Sequence, residues 1–242
     1  MAKKNTVSPV NCACVIHGDV YDWIYVERLY NMIRRNLGEI KLHVYTEAAR
    51  QVPVYMIKHA LTEWPGVMGA RKSWWYKMQL FNPAHYSNDL LYFDLDVVIC
   101  RDINWVTKLP TEKFWTIRDF SYLQIPGTSS INSSMMWWNV EKFSHVWAEF
   151  QQANLAQTMR QYRGDQDYLN QAIGHDGRRY FDNEHLQSYR WQVANGGLNF
   201  ETRQPNCPGT GAHIAKQTSV IVFHGQPKPH EVDDPEIVTL WA

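Results

Sequence analysis

The chain has 242 residues, with 24 lysines and arginines against 24 aspartates and glutamates, and 45% of it is hydrophobic. This composition excludes a disordered or fibrous protein, and no apolar run reaches the roughly 18 residues of a membrane-spanning helix. The balanced charge speaks against a non-specific nucleic-acid coat, although a neutral total leaves room for a local basic groove. The length suits one domain with a sizeable core. The opening, MAKKNTVSPVNCACVIHG, lacks an apolar stretch of signal-peptide length. Cys12, Cys14, Cys100 and Cys207 follow neither zinc-site nor disulfide spacing, so reduced thiols in a cytoplasmic protein are expected. Eleven tryptophans exceed the usual need of such a core. Some are expected to line a cleft and stack on a flat ligand, the rest to pack.

In chain order, residues 11–18 are an apolar run closed by Gly18, read as a buried strand entering a turn. Residues 21–37 carry Trp23, Ile24, Leu29, Ile33 and Leu37 at near-helical spacing, and Gly38 stops them. Residues 40–45 alternate as a second strand. This strand–helix–strand opening predicts a doubly wound α/β domain with a mainly parallel sheet. Residues 73–81 read as a helix capped by Ser73 and ended at Asn82-Pro83. Strands are predicted at 90–93, 114–117 and 133–138. The longest helix is predicted over 140–160, with Phe143, Val146, Trp147 and Phe150 on one face, and another over 165–173. Residues 174–218 show no period and read as loops and a small lobe. A last strand is predicted at 219–223. No linker or repeat interrupts this single domain.

The stretch LLYFDLDVVIC, residues 90–100, carries the most chemistry. Alternate residues of a strand share a face, so Asp94 and Asp96 can aim both carboxylates at one point. At the carboxyl end of a buried parallel strand the sheet opens into a ligand crevice, and two hard oxygens there suit Mg²⁺ or Mn²⁺. A pair of solvated turn carboxylates is the plain alternative, and Asp165 and Asp167 repeat the same spacing.

Asp94-Leu95-Asp96 after an apolar strand resembles the Asp-x-Asp motif of nucleotide-sugar glycosyltransferases of the GT-A fold. Further stretches are similar to the glycogenin-like and galactosyltransferase-like family 8. These are Ile131-Asn132-Ser133-Ser134-Met135-Met136, then Gly164-Asp165-Gln166-Asp167-Tyr168-Leu169-Asn170, then Phe223-His224-Gly225-Gln226-Pro227-Lys228-Pro229. The last departs from the family by placing His directly before Gly. The resemblance implies a nucleotide-binding half over about 1–100 and a donor-sugar and acceptor half over about 101–242. It implies a cation held by Asp94, Asp96 and His224, with Gly225 and Lys228 on a diphosphate. Asn132, Ser133, Asp165 and Gln166 would face the donor sugar, Asp165 and Gln166 at the reacting centre.

His17, Asp19 and Tyr21 lie where the family holds the nucleotide base, with Tyr21 stacking on it. Arg71, Lys72 and Lys77 surround a Trp-Trp pair, and Lys77 is the residue chosen to touch the donor. Plain readings stand beside these: a strand-end histidine for His224, turn chemistry for Asn132 and Ser133, an N-cap for Asp165, and a lysine stem covering apolar surface for Lys77. The implied reaction is metal-dependent transfer of a glycosyl group, in the first instance from a UDP-hexose, with retention. The acceptor would be a glycan, a small molecule or a modified DNA base, faced by Trp137, Trp138, Tyr189, Arg190 and Trp191. No stable membrane association is expected. The rivals are a haloacid-dehalogenase-like phosphatase, which would use Asp233-Asp234 as its late acidic pair, and an inactive sugar- or nucleotide-binding protein.

Overall fold

A computed structural model describes residues 8–67 and 73–242; Arg71 and Lys72 lie outside the described residues. β1 (Val10–Val15) leads to α1 (Ile24–Leu37), β2 (Ile40–Thr46) and β3 (Ile57–Ala60). β1 pairs in parallel with β2, and β2 with β3. The 3₁₀ segment Ser73–Phe81 precedes β4 (Asp89–Phe93) and β5 (Val97–Ile99). β6 (Phe114–Arg118) and β7 (Ile131–Asn139) follow, then α2 (Ser144–Gln152), α3 (Leu155–Gln161), α4 (Asp165–Gly177), β8 (Arg178–Tyr180) and β9 (Leu186–Ser188). β10 (Val220–Val222) and α5 (Pro235–Trp241) complete the chain.

The main sheet has seven strands in the order β3-β2-β1-β4-β7-β6-β8, and a second sheet has the order β5-β10-β9. β7 runs antiparallel between β4 and β6. The main sheet is covered on both faces, which explains its uninterrupted apolar runs. Along β1 and β4, Cys12, Cys14, Leu91 and Phe93 enter one core cluster while Ala13, Leu90 and Tyr92 enter the other. All four cysteines are free. Among the described residues, no helix is long and apolar enough to cross a membrane.

The expected α/β architecture stands, with local differences. The helix expected over 140–160 is two helices, because Ala153 is extended and the Asn154 side chain caps a new start by accepting from the Gln157 N–H. Residues 73–81 wind as 3₁₀ instead of α. The stretch 174–218 contains β8, β9 and a π-turn over Tyr189–Val193, elements of three to five residues that are too short to show a period. At the β2–β3 edge, His43, His59 and His85 gather with Tyr45. His43 Nδ1 lies 2.8 Å from His59 Nε2, and His59 stacks on Tyr45 at 4.5 Å.

Candidate active site

β4 delivers Asp94 and Asp96 to its carboxyl end. Because β7 is antiparallel, with Met135 opposite Phe93, its first residues arrive at the same end. The start of α4, the residues after β10 and the 3₁₀ segment close around them. The resulting cleft has a volume of about 1280 Å³ and is lined by His17, Tyr21, Lys77, Asp94, Asp96, Asn132, Asp165, Gln166, His224, Gly225 and Lys228, among others.

Lys77 sits at the centre. Its Nζ is 2.8 and 3.1 Å from the two Asp94 oxygens, 3.3 Å from Asp165 Oδ2 and 3.0 Å from Ser133 Oγ. Burial alone would strip its proton, but Asp165 and Asp94 outweigh burial and hold its pKa above the ordinary lysine value. It is therefore a buried cation of the site, and not a stem covering apolar surface. Tyr92, two residues before Asp94 on the same strand face, donates to Asp94 Oδ1 at 2.6 Å. Asp96 is matched separately: Tyr21 donates to its Oδ2 at 2.9 Å and Lys228 donates to the same oxygen. Burial, then the charge of Asp94, raises the Asp96 pKa against the pull of Lys228.

Asp165 does not cap α4, whose cap position is Gly164. Its carboxylate accepts from Ser133 Oγ at 2.6 Å, and burial raises its pKa. Gln166 Oε1 accepts from the Ser133 N–H at 3.1 Å, which fixes the side-chain carbonyl on the backbone and leaves the amide nitrogen for the cleft. Gly164 packs flat on Trp74: a Cβ there would stand 3.3 Å from the indole nitrogen.

Several expectations shift. Ser133 is fully buried behind the lining, so it holds Lys77, Asp165 and Gln166 instead of facing the cleft. Asn132 lines the cleft from within β7, its Oδ1 accepting from the Ser134 N–H at 2.9 Å. Tyr21 commits its hydroxyl to Asp96 and packs its ring on Tyr25 at 4.8 Å. Asp19 is exposed and is not among the cleft-lining residues. The adjacent turn is pinned by Glu47, which accepts from the Gly18 N–H, and by Arg50, which donates to the Gly18 carbonyl. His17 lines the cleft with Nε2 3.1 Å from Glu63. Gly225 has φ +78°, a turn that disfavours a side chain. Trp137 and Trp138 are buried in β7, and Tyr189 is buried on Phe223 at 4.1 Å; of the tryptophans, Trp74 and Trp191 line the cleft. Arg190 is exposed outside it. Asp234 caps α5 and is not among the residues that line the cleft.

His224 lines the cleft, but its Nε2 is 2.7 Å from Ser188 Oγ. Its ring stacks on Phe120 at 5.5 Å and meets Trp191 edge-on at 4.8 Å. Burial lowers its pKa and keeps it neutral. Asp94 and Asp96 suit a divalent cation as paired hard donors whose mutual repulsion a cation relieves. His224 does not join them in this arrangement. Among the described residues, no three His, Cys, Asp or Glu side chains are grouped to hold a metal ion.

No protein-family model matches the chain, and no curated protein matches its sequence. Solved structures do. The galactosyltransferase LgtC, in complex with donor and acceptor sugar analogues, superposes with a TM-score of 0.62 at 13% identity, over 96% of this chain and 95% of that one. The fold is that of the GT-A glycosyltransferases. GlyE of Streptococcus pneumoniae TIGR4 gives 0.63 at 11% identity, over 92% of this chain and 56% of its own. The bifunctional glycosyltransferase WbbM gives 0.61 at 15%, over 97% and 50%. The chain thus spans about half the length of the last two. The GT-A resemblance read in the sequence holds for the fold, and the cleft lies where a doubly wound sheet opens at its strand ends.

Proposed function

We propose that the cleft binds a nucleoside diphosphate sugar, in the first instance a UDP-hexose, and that the protein transfers its glycosyl group to an acceptor hydroxyl. The observation that carries this is the pair of carboxylates at the end of β4, each facing its own lysine, beside the Ser133–Asp165–Gln166 cluster. Such a site offers fixed charges to a diphosphate and fixed hydrogen bonds to a polyol. Lys228 neutralises charge gathering on the diphosphate as its bond to the anomeric carbon breaks, and the Gly225 turn admits the phosphate close to the backbone. Asp165 and the Gln166 amide hold the sugar, with Asn132 at its edge. His17 and Tyr21 border the nucleotide, with Asp19 at the outer turn. Lys77 holds Asp94 and Asp165 in place through its two ion pairs.

Asp94 and Asp96, with His224 as third ligand on release from Ser188, would hold Mn²⁺ or Mg²⁺, whose contribution when bound is Lewis-acid stabilisation of the diphosphate. Every carboxylate lining the cleft already has a partner: Asp94 and Asp165 share Lys77, Asp96 has Lys228, Asp119 accepts from the Ser121 N–H, and Asp167 pairs with Arg163. Retention by same-face attack, with the departing phosphate taking the acceptor proton, is the route that the family resemblance implies. The acceptor is a glycan, a small molecule or a modified DNA base meeting Trp191 at the cleft. The free cysteines support a cytoplasmic site of action.

Thermal-shift measurements with UDP, GDP, UDP-glucose, UDP-galactose and GDP-mannose, each with and without Mn²⁺, test the reading. A ligand at ~100 times its dissociation constant stabilises by about 2.7 kcal/mol. One nucleotide should give a metal-dependent shift that Asp96→Ala abolishes. No shift with any nucleotide would sink the proposal.

A further inference from the structure

Ser188 ends β9, opposite Val222 of β10, and is fully buried. Its hydroxyl has two partners: the Trp191 N–H at 3.2 Å and His224 Nε2 at 2.7 Å. A hydroxyl has one proton and accepts through its oxygen. The Trp191 N–H can only donate, so it takes a lone pair. The hydroxyl proton must then go to Nε2, because among the described residues no other acceptor is in reach and a stranded buried proton costs about 1–3 kcal/mol. In the neutral ring this puts the imidazole proton on Nδ1. That nitrogen has no hydrogen-bond partner among the described residues and is not one of the buried unpartnered atoms, so it is open on the cleft that His224 lines. Phe120 and Trp191 fix the plane of the ring.

We infer that Ser188 is the positioning residue of the site, locking His224 as the Nδ1–H tautomer and tying it to the backbone of Trp191. So held, His224 offers the cleft an N–H donor suited to an anionic oxygen, and it offers a cation a lone pair only after the Ser188 bond opens or the tautomer switches. One hydroxyl therefore sets both the ring nitrogen that faces the ligand and the turn that carries the Trp191 indole. The proposal rests on the function above only in taking the anion to be a diphosphate.

Protein labelled with nitrogen-15 histidine tests this directly, since long-range proton–nitrogen correlation spectra separate the two neutral tautomers. Signals of His224 are those missing from His224→Gln. The wild type should show the Nδ1–H pattern, Ser188→Ala a mixture, and Ser188→Thr the wild-type pattern again. Inorganic pyrophosphate, titrated by calorimetry, should bind more weakly to Ser188→Ala in proportion to the rings that leave the Nδ1–H form, about fivefold when roughly a fifth of them keep it, and regain affinity in Ser188→Thr. An Nε2–H pattern in the wild type, or a spectrum unchanged in Ser188→Ala, overturns the inference. Should the wild type show Nδ1–H yet bind no pyrophosphate, the diphosphate reading fails while the Ser188 lock stands.

Discussion

Two regions of this molecule bury titratable groups, and they do so by opposite means. At the cleft, Lys77 is set among Asp94, Asp165 and Ser133, so buried charge is balanced by buried charge. At the β2–β3 edge, His43, His59 and His85 pack on one another and on Tyr45 as uncharged rings. Burial lowers His43 to about 4, and His59, also through burial and through His85, to about 4. Neighbours of opposite sign keep a group ionised in the interior, whereas neighbours of the same kind leave neutrality as the cheaper state. The first region suits charged ligands; the second serves packing.

The largest effect should come from breaking the balance at the cleft. Lys77→Met leaves two carboxylates without their shared cation and should cost about 3–5 kcal/mol in urea unfolding at neutral pH. The loss should shrink in acid as Asp165, whose pKa burial raises, takes up a proton. A variant as stable as wild type at pH 7 would show that the pairing carries no weight.

The histidine region should likewise lose its contribution in acid. A ring whose folded pKa is about 4 and whose ordinary value is 6.5 binds its proton better unfolded. Its stabilisation is complete above pH 6.5 and is lost as pH falls toward 4. For buried His43 this amounts to roughly 2 kcal/mol, with less from the half-exposed His59. Asp96 and Asp165 tilt the other way, because their raised pKa values favour the folded state as they take up protons. Subtracting the stability profile of His43→Gln from that of wild type isolates the histidine slope. A flat difference between pH 4 and 6.5 would refute it.

The smallest effect sharpens the contrast. Arg163 pairs with Asp167 at 3.0 Å, but its side chain is 93% exposed. Arg163→Ala should leave the unfolding midpoint unchanged within error, since solvent screens such a pair. A loss comparable to that of Lys77→Met would mean that burial does not separate the two.

How much of this was readable beforehand follows from the length scale of each feature. The β4 run announced Asp94 and Asp96 because apolar residues on both faces of a strand make a following carboxylate conspicuous. Tyr92 was within reach by the same alternation, two residues upstream. Helix α5 carried a readable start in Asp234-Pro235-Glu236, an N-cap followed by proline at the first helical position. Ser188 was out of reach. Its bond to His224 joins residues 36 apart through two strands of three residues each, and neither strand has a period to detect. Lys77 stood out in the sequence beside its Trp-Trp pair, but its partners Ser133 and Asp165 come from β7 and α4, a meeting that the sheet order creates and no local pattern contains.

Gly164 bears no chemistry and has an extended backbone at φ −174°, which any residue can adopt. Its constraint is spatial: an added Cβ would stand 3.3 Å from the indole nitrogen of Trp74, a contact tight enough that the ring must give way slightly. The first turn of α4, with Asp165 and Gln166, is thus spaced from the Trp74 wall by the thickness of a hydrogen atom. An alanine there presses the ring aside, and a larger residue presses harder against the helix start that aims both site residues. Over many generations, positions 164 and 74 should therefore drift as a pair, with bulk gained at one offset by bulk given up at the other.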